Sequence, residues 1–483
     1  MTSNNNFSLR VIKSFLYSGI GNTVSKVINV VALFVVLKLI SPEAFGIASI
    51  VLAIFAVVQA VTELGLGVAI VQAKSLTRRE TDSLFWLSLM MTVFLYGLIY
   101  AGAPLAAAFY NQPLLTPLIQ VHGLIIVIFT FYLVPRNMLK RELLFKEIVI
   151  IDNVALLSSS VIMLILAYMG FGAWAIILGE VGNRVGQLIL AHIFYPYWPK
   201  IQFNFSEIKD RVQFGLYATG SRLLYNLYSN ADYLIVGRIF GAEAVGIYTL
   251  AYRVIGDTVK TLTSNLNEVA YPAFARLQDE IERLRKYFFT ITRASLQLNS
   301  LVLILIAVFI DEILLLGGYN QWMDAVPLIQ LFAAVAVLRT VSPLVPQLLN
   351  AVGEARLNFY YSLSNTIIMP VAFLIGAQYD LIGVAWAWVI GFPVVVSLLF
   401  YFGSQALQLP FAEFIRETFS GFWLLPLILA MAIGLQTVLS RPFSAESFFI
   451  PLIGILITLS FGLAIIYWRE RDTINLLRGR RQV

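Results

Sequence analysis

The sequence predicts an all-α polytopic membrane protein: about fourteen transmembrane helices, in two parallel six-helix lobes around a central cavity, plus two C-terminal helices. Three observations predict it. Of 483 residues, 59% are hydrophobic and 12% charged, whereas soluble domains run about 45–50% apolar and about 25% charged; mean hydropathy is +0.83. Apolar runs of membrane-spanning length alternate with loops whose basic content switches between high and near zero. A short phrase also returns at an offset of 200 residues: SPEAFGIASI (41–50) and GAEAVGIYTL (241–250) share Glu43/Glu243, Ala44/Ala244, Gly46/Gly246 and Ile47/Ile247.

A span needs roughly 20 mostly apolar residues. The opening MTSNNNFSLRVIKSF puts Arg10 and Lys13 before an apolar run with no small-residue cleavage site, so 14–40 reads as a retained first span rather than a signal peptide. Runs at 44–72, 82–104, 114–135, 148–169 and 172–194 follow. The next two, 213–240 and 244–272, are weak by hydropathy, since FGLYATGSRLLYNLYSNADYLIVGRIF carries Arg222, Asn226, Asn230 and Asp232; the repeat defends them. Runs at 288–315, 325–348, 358–377, 380–403, 420–439 and 447–468 complete the set. Between the twelfth and thirteenth, SQALQLPFAEFIRETF (404–419) is mildly amphipathic and reads as a segment lying on the inner surface.

The loops fix orientation. One set holds Lys74, Arg78 and Arg79, then Arg136, Lys140, Arg141 and Lys146, then Lys200, Lys209 and Arg211. It continues with Arg276, Arg283, Arg285 and Lys286, with Arg356 and Arg416, and with Arg469, Arg471, Arg478, Arg480 and Arg481 in the tail. The opposite loops, such as APLAAAFYNQP, GFGA and GGYNQWMDAVP, are nearly free of Lys and Arg, Arg441 being the exception. The positive-inside rule then places both termini in the cytoplasm. The net charge of +6 is a topology signal, and no nucleic-acid partner is expected.

At the same offset FLYSGIGN (15–22) lies on GLYATGSR (215–222), and Lys38 on Arg238. Span seven therefore corresponds to span one, and eight to two. Six spans per copy make the copies parallel, related by an axis along the membrane normal, as in transporters whose sites lie between repeats. The expected organisation is an N-terminal lobe 1–200, a C-terminal lobe 201–406, and 407–483 comprising the amphipathic segment, the last two helices and a basic cytoplasmic tail. The recurring phrase reads as the outer turn joining the first two helices of each lobe, with Gly for the tight connection and Glu at the next helix's N-terminus.

Span one holds Asn22, Lys26 and Asn29; span seven holds Arg222, Asn226 and Ser229 at the aligned places. Steps of four and three put each set on one helix face. A charge at mid-depth cannot face lipid cheaply, costing about 3 kcal/mol or more, so the two stripes predict a shared hydrated cleft with these six residues as its substrate-binding walls. Span eight adds Arg253, Asp257 and Lys260 at the same spacing, where span two has Ala53, Val57 and Ala60. Arg253 and Lys260 join the substrate-binding set, although Arg253–Asp257 also reads as a self-neutralising pair. Glu63, Asp257 and Glu268 are the candidates for H⁺ or Na⁺ coupling; no other cofactor is expected. Glu180–Arg184 reads as a structural i,i+4 pair, Lys38 and Arg238 as snorkelling side chains, and His122 as a satisfied core histidine. Arg293 and Arg339 lie inside spans nine and ten, and Asp152 near the inner interface.

The chemistry that is absent narrows the function. There is no cysteine, hence no disulfide or thiolate nucleophile. G-x-x-x-x-G-K-[ST], H-E-x-x-H and G-x-S-x-G are missing, there are two histidines, and no long outer loop could house a transferase site. A cleft rich in Lys and Arg suits an anion, with guanidinium gripping phosphate oxygens and Asn or Ser reaching sugar hydroxyls.

SNADYLIVGRIFGAEAVGIYTLAYRV (229–254), RRETDSLFW (78–86) and PRNMLKRELLF (135–145) resemble the polysaccharide-exporter branch of the multidrug/oligosaccharidyl-lipid/polysaccharide superfamily. They are most similar to its Wzx-type oligosaccharide flippases and its colanic and teichuronic acid exporters. The resemblance implies two six-helix lobes in a V, alternating access, and movement of undecaprenyl-diphosphate-linked oligosaccharide or polysaccharide to the outer leaflet of the bacterial inner membrane. It implies basic cavity residues on the diphosphate, a placement that Lys26, Arg222, Arg253 and Lys260 match. The expected partners are the lipid-linked oligosaccharide, membrane lipids, and a polymerase and other envelope-assembly proteins. Three readings compete: a cation-coupled drug antiporter of the same superfamily, which needs an acidic cleft; a membrane-bound saccharide polymerase or transferase, which needs the missing outer loop; and an assembly scaffold.

Overall fold

The structure, a computed structural model, describes residues 31–62, 67, 70–71, 76–209, 212, 223, 226–440 and 452–466. Among them every regular element is helical. In chain order they are α1 (31–39), α2 (Pro42–Thr62), α3 (Arg78–Tyr110), α4 (Leu115–Arg141), α5 (Phe145–Tyr168), α6 (Ala173–Phe194) and α7 (Ala231–Leu277). After these come α8 (Ile281–Leu316), a 3₁₀ turn (Asn320–Ala325), α9 (Val326–Val341), α10 (Leu344–Ala351), α11 (Ala355–Gly376), α12 (Leu381–Ala406), α13 (Phe411–Thr418), α14 (Leu424–Ser440) and α15 (452–466). Nine helical stretches among the described residues are long and apolar enough to cross a membrane, and two more are shorter apolar helices, Leu424–Val438 and Leu452–Ile466. The chain is an all-α, multi-pass membrane protein.

Local chemistry explains where the helices begin and end. At α3, Thr77 Oγ1 accepts from the Glu80 amide at 3.2 Å and Glu80 Oε2 accepts from the Thr77 amide at 2.7 Å, a reciprocal cap. The same helix stops at Asn111, which adopts a left-handed conformation with φ 53°. α6 carries Glu180, Asn183, Arg184 and Gln187, and it is not among the nine strongly apolar stretches. It nevertheless forms over Ala173–Phe194, close to the expected 172–194.

The chain divides into two compact units, Met1–Gly246 and Ile247–Val483. In the first, the recurring phrase sits where two helices join, with Glu43 in the first turn of α2 as expected, but its glycine has another role. α1 and α2 are separated at Ile40–Ser41, and Ser41 Oγ caps α2 by accepting from the Ala44 amide at 3.3 Å. In the second copy Gly241, at φ 85° and ψ −177°, breaks α7 at the aligned place. Gly46 and Gly246 therefore lie inside helices and not in the turn. A Cβ on Gly46 would stand 1.7 Å from the Ala242 carbonyl oxygen, and one on Gly246 would stand 1.9 Å from that of Pro42. The two copies meet backbone to backbone at these glycines, an approach that a side chain would block.

In the second unit, Phe414 of α13 is fully buried among Phe288, Phe289 and Phe400, at centroid separations of 5.7, 5.7 and 6.0 Å. Glu413, Arg416 and Glu417 occupy the same short helix, which is the expected amphipathic segment. α14 and α15 pack on α8 through Leu424, Leu425, Ile428, Ala432 and Ile466 against Leu301, Leu305 and Phe309.

Candidate functional site

Of the residues singled out in the sequence, Asn22, Lys26, Asn29, Glu63 and Arg222 lie outside the described residues, as does the side chain of Glu268. Those described fall in two places. In the first unit, Asn226 and Ser229 are half-buried in the helical turn leading to α7, where Asn230 Nδ2 donates to the Asn226 carbonyl at 2.8 Å.

In the second unit, Arg253, Asp257 and Lys260 form one stripe on α7. Asp257 and Lys260 are exposed, whereas Ala251, Ile255, Val259 and Thr263 bury the opposite face. Arg253 Nε stands 3.6 Å from Asp257 Oδ2, with the two side chains 35% and 59% exposed. The pair is thus only partly covered by the protein. Lys260 follows Asp257 by three residues on the same face, so the stripe keeps a cationic excess.

The two other arginines inside spans have different fates. Arg339 of α9 donates Nη2 to Tyr252 OH at 2.8 Å, and its guanidinium lies 5.0 Å from the ring centroids of both Tyr252 and Trp388. Trp388 Nε1 in turn donates to Tyr248 OH at 2.9 Å. Arg339 is therefore enclosed by rings and positions them. Arg293 of α8 has a buried Nε with no hydrogen-bond partner among the described residues, and it packs near Gly421 beside Gln297.

The first unit contains a polar hollow. α2, α4 and α6 enclose a cavity of about 140 Å³ lined by Phe55, Gln59, His122, Phe129, Glu180 and Arg184 among others. His122 is 4% exposed, in edge contact with Phe55 at 4.6 Å, yet its Nδ1 finds no partner among the described residues. It is buried, as expected, with Nδ1 left open among the described residues. Arg184 donates to Gln187 Oε1 at 2.9 Å and lies 5.5 Å over Phe129. Gln59 and Glu180 are exposed.

Two features escaped the sequence. Arg136, counted there among the loop charges, lies within α4 and grips Asp152 of α5 with both nitrogens, at 2.6 and 3.0 Å. Asp82, within the RRETDSLFW segment, is fully buried and holds the chain that follows α6. It accepts from Tyr197 OH at 2.7 Å and Gln202 Nε2 at 2.5 Å, with Arg78 Nε at 3.3 Å. Burial, reinforced by the bond to this carboxylate, raises the Tyr197 phenol well above its ordinary value of 10. Ser83 Oγ accepts from the Asn204 amide at 3.0 Å, and Trp86 Nε1 donates to the Lys200 carbonyl at 2.8 Å, completing the strap.

Comparison with known proteins places the chain in a family. A family model described as polysaccharide biosynthesis protein matches residues 35–327, more than half of the chain. The teichuronic acid biosynthesis protein TuaB of Bacillus subtilis (strain 168) is 28% identical over 370 residues, 73% of this chain and 76% of that protein. The lipopolysaccharide biosynthesis protein WzxC of Escherichia coli (strain K12) is 26% identical over 433 residues, 88% of each chain. Among solved structures, the lipid II flippase MurJ in its inward closed conformation superposes with a TM-score of 0.72 at 15% identity, over 95% of this chain and 100% of that one. At that identity, the likeness is one of fold.

Proposed function

The chain belongs to the polysaccharide biosynthesis protein family, and on that premise we propose that it is a flippase: a transporter, not an enzyme. It moves undecaprenyl-diphosphate-linked oligosaccharide or polysaccharide from the cytoplasmic to the outer leaflet of a bacterial inner membrane, with both termini in the cytoplasm. The observation that carries this reading is the accessible cationic stripe on α7. Arg253 and Lys260 sit on one face of a helix otherwise apolar enough to span the bilayer. Intramembrane charge is retained where it meets water or a counter-ion, and a diphosphate supplies the counter-ion. Arg253 offers a fork to phosphate oxygens and Lys260 a point charge. Asp257 beside them tempers the affinity so that the head group is released, and it is a candidate for H⁺ or Na⁺ coupling together with Glu63 and Glu268. Lys26, Arg222, Asn22, Asn29, Asn226 and Ser229, the polar residues of the aligned first and seventh spans, are the further candidates for binding substrate, and the two sequence repeats would serve as the lobes of an alternating-access cycle. A negative-inside potential favours the outward step by about 2.3 kcal/mol per charge per 100 mV. A polymerase and other envelope-assembly proteins would take up the product.

The test uses the purified protein in vesicles carrying a tagged undecaprenyl-diphosphate oligosaccharide. Wild-type protein should expose the tag in the outer leaflet. Arg253→Ala combined with Lys260→Ala should slow exposure at least tenfold while the protein stays monodisperse. Wild-type vesicles that move no lipid-linked saccharide but drive dye efflux with a cation gradient would replace this reading with a drug antiporter.

A further inference from the structure

The hollow in the first unit plays no part in the mechanism above. Its volume of about 140 Å³ is far above the ~10–15 Å³ that a single water site needs. Its lining is of two kinds. Phe55 and Phe129 offer phenyl walls, while Gln59, His122, Glu180 and Arg184 offer an amide, an imidazole, a carboxylate and a guanidinium. The buried imidazole has one donor and one acceptor to place, and Nδ1 has no partner among the described residues. Such an orphan calls for an occupant. Exposed Gln59 and Glu180 leave a mouth for it.

The combination matches one ligand chemistry. A hexopyranose presents flat C–H faces that pack on aromatic rings and a rim of paired hydroxyls. Planar groups such as carboxylate, amide and guanidinium bind hydroxyl pairs two at a time, and an imidazole can both accept from one hydroxyl and donate to another. A few convergent polar groups on an otherwise apolar wall are the general anatomy of a small-molecule site. With one carboxylate and one guanidinium facing it, the pocket favours a neutral ring over a strongly charged one. We propose that this cavity is a recognition subsite for a single neutral hexopyranose of the transported glycan. The assignment rests on the saccharide-transport reading. The subsite grips the sugar, whereas the α7 stripe grips the head group.

Saturation-transfer NMR on the full chain in lipid nanodiscs tests it, with free glucose, galactose, N-acetylglucosamine and glucuronate as probes and sorbitol as the acyclic control. At least one neutral hexopyranose should receive saturation at its ring C–H protons, more strongly than glucuronate, while sorbitol does not. Glu180→Gln, at an exposed position, and Phe129→Leu, which keeps the volume close, should each weaken that binding about tenfold. Arg356→Ala, outside the pocket, should leave it unchanged. If no sugar exceeds the sorbitol signal, or if both pocket variants bind as wild type does, the proposal is overturned. It is equally overturned if no sugar binds while Glu180→Gln shifts the pH dependence of transport, which would make the cavity a proton site. Failure of the flippase reading is read separately, in the vesicle assay: wild-type protein that binds hexose but exposes no lipid-linked tag refutes the transport step and leaves the pocket standing.

Discussion

A methyl group at Gly46 is the sharpest perturbation this architecture offers. It would sit 1.7 Å from the Ala242 carbonyl oxygen and 2.8 Å from the Gly246 nitrogen, where real Cβ contacts stop near 3.0 Å. The two backbones must therefore part by at least about 1.3 Å, because the obstructing atoms are main-chain and no rotamer relieves them. Overpacking typically costs about 1–3 kcal/mol, and a clash between backbones belongs at the upper end, about 3 kcal/mol. Gly97 is the internal control: it is also helical, and its Cβ would meet nothing within 4 Å, so Gly97→Ala should be neutral or slightly stabilising through helix propensity. The assay is heat-induced loss of the monodisperse peak on size exclusion in detergent. Gly46→Ala should melt clearly below wild type and Gly97→Ala at or above it. Gly246→Ala should mirror Gly46→Ala, and the double variant should cost less than the sum, since both widen one crossing. Equal melting of Gly46→Ala and Gly97→Ala, or full additivity with Gly246→Ala, would refute the crossing.

Three further expectations follow from the same geometry. Asp82→Ala orphans Tyr197 OH and Gln202 Nε2 and should cost about 2–3 kcal/mol; limited proteolysis should cut within 195–209 earlier than in wild type, and an unchanged cleavage rate would count against the strap. The Tyr197 phenol is held neutral in the fold, so its contribution is whole below pH 10, the ordinary value, and falls away as pH rises past it, when the unfolded phenol ionises and the folded one does not. Melting followed across alkaline pH should show this decline in wild type and a flatter limb in Tyr197→Phe; identical limbs would exclude the effect. Arg339→Lys replaces a flat cation between two rings, each at 5.0 Å, with an ammonium that cannot lie between both; it should lose about 1–2 kcal/mol, and an unshifted melting temperature would show that the rings do not need the guanidinium.

How much of this was legible depends on how far apart in the chain the interacting residues lie. Helix existence is a local property, which is why 172–194 was found despite Glu180 and Arg184, and why the break before span eight fell within a few residues of Gly241. The meaning of Gly46 was not local. The atom that forbids a side chain there belongs to Ala242, far away in the chain, so from the sequence alone the glycine reads as a turn residue. Arg136 was misplaced for a related reason: Asp152, which neutralises it at 2.6 Å, arrives from the next helix, and a charge so paired no longer marks a loop.

The same distinction separates the intramembrane cations by role. Arg253, Asp257 and Lys260 are spaced four and three, so their common face follows from helix geometry alone, and the buried Ala251, Ile255 and Val259 behind them show that the face turns away from its own unit's core. Arg339 also lies inside a span, yet Tyr252 and Trp388 enclose it, from α7 and α12 respectively. A cation already bound by rings and a phenol has little left to offer a diphosphate, whereas Arg253, 3.6 Å from a carboxylate that the protein leaves exposed, keeps the freedom that the proposed role requires. The hollow around His122 was invisible for the opposite reason, because Phe55, His122 and Glu180 come from three helices with no pattern in common. Polarity on one helix can be read from its own spacing, but a pocket exists only once its walls have been brought together.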